Sequence, residues 1–163
     1  MDTRRFLDPS TRLYALAADD IEVVCPRCAA RALVVPQRVD GTSVLSWPRR
    51  LICTSCASTA SWSPRGQASH WGAPVDPFFQ LPLWLQADCC GRTLWAFNEA
   101  HLTLLHDYVA AHLRERARAD PGLTLVARLP RWVKAAKHRD EVLRTITRLR
   151  QSREPARTSV QRP

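Results

Sequence analysis

Glycine is scarce in this chain, five residues in 163, and lysine is scarcer, two against twenty-two arginines. So few glycines leave no Gly-rich loop followed by lysine that could cradle phosphates, and no helix carries a metalloprotease motif. No serine or cysteine nucleophile can be paired with a base from sequence alone, although a site can be assembled from distant residues. The expectation is a protein without catalytic activity. Long apolar runs are missing as well: at ~1.5 Å per residue no stretch is long enough to span a bilayer. Thr3-Arg4-Arg5-Phe6-Leu7 glances at a twin-arginine signal, but Asp8-Pro9-Ser10 stands where an apolar core should begin, and Asp19, Asp20 and Glu22 close off the segment. A soluble, cytoplasmic protein is therefore expected. In that reducing compartment six cysteines point to metal or redox chemistry rather than to a disulfide framework.

With 45% hydrophobic and 24% charged residues the chain is globular, and its length suits a small metal module joined to a second unit of about a hundred residues. Its net charge of +9 is unevenly placed. Residues 1–113 hold ten Arg and ten Asp or Glu, whereas residues 114–163 hold fourteen Lys or Arg against five acids, so the last fifty residues carry all of it. A basic block on a neutral body is an electrostatic handle for phosphates or for an acidic protein face. The preference for arginine over lysine matches a GC-rich coding sequence and carries no information on phosphate recognition.

Cys25-Pro26-Arg27-Cys28 and Cys53-Thr54-Ser55-Cys56 form two Cys-x-x-Cys pairs with twenty-four residues between them. Two thiolates two residues apart can reach one ion from a tight knuckle turn, and four of them satisfy tetrahedral zinc. Between the pairs, 32–35, 43–47 and 51–52 are short β-rich runs separated by Pro36 and by Asp40-Gly41, as in an antiparallel ribbon that returns the chain to its start. Cys25, Cys28, Cys53 and Cys56 are thus expected to share one structural zinc ion. The rival, a thioredoxin-like redox pair at Cys25 and Cys28, needs a long helix after the motif where a strand is read instead. Iron fits the same ligands. Arg27, Arg31, Arg49 and Arg50 have two readings, neutralising the thiolate cluster or binding a ligand. A closed four-thiolate site leaves no coordination position for an activated water, so its role is to fold the module.

After a Pro- and Gly-rich passage over 63–81, read as a linker or surface loop, 82–88 and 93–97 predict a hairpin turning at Cys89-Cys90-Gly91-Arg92. Trp84 and Trp95 fall near one another across it, as an aromatic pair in the core or as a base-stacking or partner surface. Cys89 and Cys90 read as buried or turn thiols, as supplementary metal ligands or as a vicinal redox pair; adjacent strand residues point to opposite faces, so both reach one ion only through an unusual turn. Asn98 caps a helix with Leu102, Leu105, Val109 and Leu113 on one face, running to about Arg118. His101 and His112, ~16 Å apart along such a helix, cannot share a metal and read as packing or capping groups. Pro130 starts a second helix with Trp132, Ala135, Ala136, Val142, Leu143, Ile146 and Leu149 on one arc. Lys134, Lys137, Arg144 and Arg148 lie opposite, with Glu141 placed for ion pairs to Lys137 and Arg144. That face is either solvated or a phosphate-binding surface, and Arg150, Arg153, Arg157 and Arg162 continue it into a tail.

The paired knuckles resemble the zinc-ribbon family, to which ribbons of transcription factors, RNA polymerases and ribosomal proteins belong; the match covers about a quarter of the chain. The downstream text, PLWLQADCCGRTLWAFNEAHLTLLHDYV and LPRWVKAAKHRDEVL, is similar to that of bacterial zinc-ribbon-containing proteins. The resemblance implies the metal and its four ligands. The expected architecture is α+β: an N-terminal arm (1–20), a four-cysteine zinc ribbon of small antiparallel β-structure (21–62), a linker (63–81), a β-hairpin plus two α-helices (82–150) and a basic tail (151–163). Two functions fit it, an accessory protein that binds DNA or RNA through the basic helix and tail, and an adaptor or complex subunit whose ribbon and Trp-rich hairpin meet a protein partner.

Overall fold

The computed structural model describes residues 5–115 and 124–154. Arg116, Arg118, Pro121, Gly122, Arg157 and Arg162 lie outside the described residues. The architecture is α+β, as expected. Strands β2 (Ile21–Val24), β3 (Arg31–Pro36), β4 (Arg49–Ile52) and β5 (Thr59–Trp62) form an antiparallel meander in chain order. Its register pairs Val34 with Leu51 and Leu51 with Ala60. Side chains alternate across a strand, so Ala32 and Val34 of β3 join Ile21, Val23 and Leu51 in one buried cluster. The stretch 43–47, expected as strand, is instead a 3-10 turn over Val44–Ser46. Its reason is local: the Ser43 hydroxyl accepts from Leu45 N and the Ser46 hydroxyl donates to the Ser43 carbonyl.

The passage 63–81 is more than a surface linker. Phe78 is buried in the ribbon cluster, with Trp62 and Trp71 edge-on to its ring at 4.8 and 5.7 Å. Asp76 holds this loop in place, its carboxylate accepting N–H bonds from Phe78, Phe79 and Leu81 at 2.7–2.9 Å. Burial pushes the Asp76 carboxyl above its ordinary pKa against the pull of these three donors.

The hairpin of β6 (Leu85–Cys89) and β7 (Arg92–Ala96) packs with α1 (Glu99–Ala110) and α4 (Arg139–Gln151) around a second cluster, in which Leu102, Leu105 and Val109 face Val142, Ile146 and Leu149. Asn98 caps α1 as expected, accepting from His101 N. The helix stops at Ala110, short of the expected Arg118, because the chain turns extended and β8 (Leu113–Glu115) pairs in parallel with β1 (Arg5–Leu7). Nor does one helix run from Pro130. The chain makes α2 (Leu125–Arg128), α3 (Arg131–Lys134) and a 3-10 turn before α4. Ala135 is extended, and the Trp132 carbonyl, which accepts from Ala135 N at 3.4 Å, also meets the His138 imidazole at 2.9 Å, closing α3 after one turn. Val133, rather than Trp132, is the fully buried residue of α3.

Ribbon and hairpin are joined by backbone. Val24 N donates to the Pro82 carbonyl, Trp84 N to Glu22 and Glu22 N to Phe97, all at 2.8–2.9 Å. The outer edge of β2 is thereby covered.

Candidate metal centre and basic face

Two matching turns present the four cysteines. In the first, Cys25 N donates to the Ala30 carbonyl and Ala29 N back to Cys25; in the second, Cys53 N donates to Ser58. Each turn closes through an alanine in the left-handed region, Ala29 at φ 60° and Ala57 at φ 59°, a position that favours glycine and costs about 1 kcal/mol elsewhere. The thiols converge: Cys25 and Cys56 lie 3.7 Å apart, Cys28 and Cys53 3.6 Å, and all four sulfurs fall within 4.8 Å of one another. Tetrahedral sulfurs at a bond length of ~2.3 Å sit ~3.8 Å apart, whereas a disulfide needs ~2.05 Å. The geometry is that of a four-thiolate metal site. Without a metal the crowded thiols do not ionise together: the Cys28 and Arg27 backbone N–H groups bring Cys25 down to about 6, while burial and the neighbouring thiols push Cys28 up to about 12.

Of the four arginines with two readings, neutralising this cluster or binding a ligand, two are engaged elsewhere. Arg31 pairs with Glu22 at 3.1 Å. Arg49 is fully buried in the ribbon core, donating to the Ala17 and Val44 carbonyls with its guanidinium 4.3 Å from the Phe78 ring. Arg27 and Arg50 are exposed.

The basic C-terminal residues divide into two groups. Arg150 and Arg153 are structural clamps: Arg150 meets Glu99 at 2.7 Å, and Arg153 bridges Glu99 at 2.9 Å and the buried Glu22 at 2.6 Å, tying the end of α4 to α1 and to β2. Arg139 turns to His112 and the Ala111 carbonyl, and the Lys134 ammonium meets the Ala127 carbonyl at 2.8 Å. Arg128, Arg131, Lys137, Arg144 and Arg148 are exposed and form no ion pair with a carboxylate among the described residues. Arg148 makes one bond, to the Thr145 hydroxyl on its own helix. Glu141, expected to pair with Lys137 and Arg144, reaches across to the hairpin and accepts from Cys90 N at 2.6 Å; this bond, with a smaller contribution from the nearby Arg144, holds its carboxyl below the ordinary pKa.

Trp84 and Trp95 are not a pair. Trp84 packs on the hairpin–helix cluster and donates its indole N–H to the Ser152 carbonyl at 3.1 Å. Trp95 packs on the ribbon cluster, its ring 5.5 Å from Phe97 and 5.6 Å from His101. Burial pushes His101 down to about 3, so the imidazole is neutral and its Nδ1 accepts from Phe97 N. His101 also lines a cavity of about 610 Å³, together with Trp71, Trp95, Trp132, Arg12 and Arg128. Sequence reasoning misses this cavity, because its walls come from separate parts of the chain between Arg12 and Val133. In the sequence Glu141 reads as a helix-surface charge, and nothing local points to its contact with Cys90.

These features define the class: an α+β protein with a zinc-ribbon-like antiparallel sheet bearing a four-cysteine cluster, followed by helices of basic character. No helix among the described residues is long and apolar enough to cross a membrane. No family model, curated protein or solved structure matches the chain.

Proposed function

We propose that the protein is a non-enzymatic accessory protein that carries one structural zinc ion at Cys25, Cys28, Cys53 and Cys56 and contacts nucleic-acid phosphates through Lys137, Arg144 and Arg148. The zinc reading rests on four thiolates at tetrahedral spacing with no fifth donor in the cluster among the described residues, which suits a folding role over Lewis-acid chemistry. The phosphate reading rests on one observation: Arg150 and Arg153 are tied into the fold by ion pairs, whereas these three outward cations form no ion pair at contact distance among the described residues, Arg144 lying only near enough to Glu141 to help lower its pKa. Arg144 and Arg148 stand one helical turn apart, and Lys137 lies on the 3-10 turn just before their helix, so the three offer phosphate contacts without base-specific geometry.

Zinc-loaded protein titrated against labelled DNA and RNA of arbitrary sequence is expected to bind at low salt, with affinity falling as salt rises. Absence of binding to every strand type at low salt would overturn the phosphate reading. The aromatic-lined cavity favours a second reading, an adaptor that seats an apolar side chain of a protein partner. That reading predicts a defined partner recovered by pull-down and lost when Trp132→Ala strips one wall.

A further inference from the structure

We propose a second metal site at Cys89, Cys90 and Glu141, separate from the ribbon, with three protein ligands and one open position. Its ligand is a thiophilic divalent cation, for which zinc is the reference.

The hairpin turn creates the pair. Cys89 ends β6, and Cys90 and Gly91 form the two-residue connection to Arg92, with φ of 54° and 70°. Positive φ at both central residues is the geometry of a type I′ turn, whose twist matches the flanking strands. Glycine meets that requirement freely, whereas a cysteine there is held in the left-handed region at a conformational cost. In a continuing strand the two side chains would point to opposite faces. Here the turn rotates Cys90 back, and the two sulfurs stand 3.8 Å apart. That is the spacing of two sulfurs on one tetrahedral ion, at ~2.3 Å each, and far beyond the ~2.05 Å of a vicinal disulfide.

The third ligand arrives from the other end of the unit. Glu141 lies in the first turn of α4, fifty-one residues on, and its Oε1 accepts the Cys90 backbone N–H at 2.6 Å. This bond fixes the carboxylate beside the thiols, and one carboxylate oxygen and both sulfurs fall within 4.8 Å of one another. Cys89 is buried, Cys90 half-buried and Glu141 exposed, so the site is rooted in the core and opens to solvent. Two thiolates and a carboxylate against a divalent ion leave one negative charge, and Arg144, one turn along α4 and electrostatically coupled to Glu141, offsets it. Three protein ligands leave a fourth position for water or an external donor, in contrast to the closed ribbon site. The ion should therefore exchange readily, and its loss should leave the fold intact.

Reduced, full-length protein is loaded with excess Zn²⁺ or Co²⁺, freed of unbound metal and analysed for metal per chain alongside its circular dichroism. Wild type is expected to hold two ions, and Cys90→Ser and Glu141→Gln one each with an unchanged spectrum. Glu141→Gln keeps an acceptor for the Cys90 N–H but loses the anionic ligand, so a purely structural role for Glu141 would leave the metal count unmoved. Equal counts in wild type and Cys90→Ser would overturn the site, and two ions in Glu141→Gln would overturn the three-ligand assignment.

Discussion

Cys53→Ser should abolish the folded β2–β5 sheet. Cys53 is a buried member of the four-thiol cluster, and a serine hydroxyl there replaces a thiolate with a weak, neutral donor. Metal binding by such small modules contributes on the order of 10 kcal/mol to folding, comparable with the ~5–15 kcal/mol stability of a whole domain. The span Ile21–Trp62 buries little apolar surface by itself and relies on Phe78, Leu83 and Phe97 from outside it, too little to offset that loss. Trp62 reports on it directly, since it sits on β5 against Phe78. The expected result is loss of strand signal and a red shift of tryptophan emission, reproduced in wild type by a strong chelator. Because Val24, Glu22 and Trp84 join the sheet to the hairpin through backbone bonds, the hairpin should loosen as well. An unchanged thermal transition in Cys53→Ser would mean the four thiols are not what holds this sheet.

Arg49→Ala should be the most damaging substitution away from the cysteines, at about 3–5 kcal/mol, or a fall of about 10 °C in Tm. The side chain has no exposure, its two terminal nitrogens donate to the Ala17 and Val44 carbonyls, and its plane lies over Phe78. Removing it leaves a large void, the Ala17 carbonyl without this donor, the Val44 carbonyl with only the 3.4 Å bond from Trp47 N, and an aromatic ring without its cation. Burial lowers the Arg49 pKa to about 10, so the group stays charged at neutral pH and the two carbonyls with the Phe78 ring provide its stabilisation. Arg49→Lys should rescue little, because one ammonium cannot span two carbonyls that a guanidinium fork reaches from opposite ends. Equilibrium denaturation of the two variants checks this. A loss below about 1 kcal/mol for Arg49→Ala would place the guanidinium outside the stabilising core.

Which features the sequence discloses follows from how far apart their parts lie in the chain. The knuckles are legible because each ligand pair is made by a four-residue turn, and the insert carries its own strand signals. The hairpin and the Asn98 cap are legible for the same reason. Arg49 misleads: its neighbours Arg50 and Cys53 suggest a surface cation beside a metal, and only the fold brings Ala17, Val44 and Phe78 around it. Asp76 looks like a loop residue among prolines, yet it organises three N–H groups of the following turn. Periodicity alone reads one long basic helix, but Ala135 breaks it where His138 can cap Trp132. The basic block likewise divides only in three dimensions, because the acids that engage Arg150 and Arg153, Glu99 and Glu22, lie some fifty and a hundred and thirty residues away.

That division carries the functional account. A uniform basic tail would bind phosphates indiscriminately along its length, whereas the fold leaves Lys137, Arg144 and Arg148 as outward cations and holds Arg150 and Arg153 as clamps. The measurement that tests this most directly is the slope of log affinity against log salt for duplex DNA, in wild type and in a Lys137→Ala, Arg144→Ala, Arg148→Ala variant. Both proteins must carry the same metal content and show the same circular dichroism. Each phosphate neutralised contributes about 0.9 to the slope, so the variant should bind more weakly and its slope should flatten by about 2–3. A variant with wild-type affinity and slope would contradict the account and move the contact surface elsewhere on the molecule.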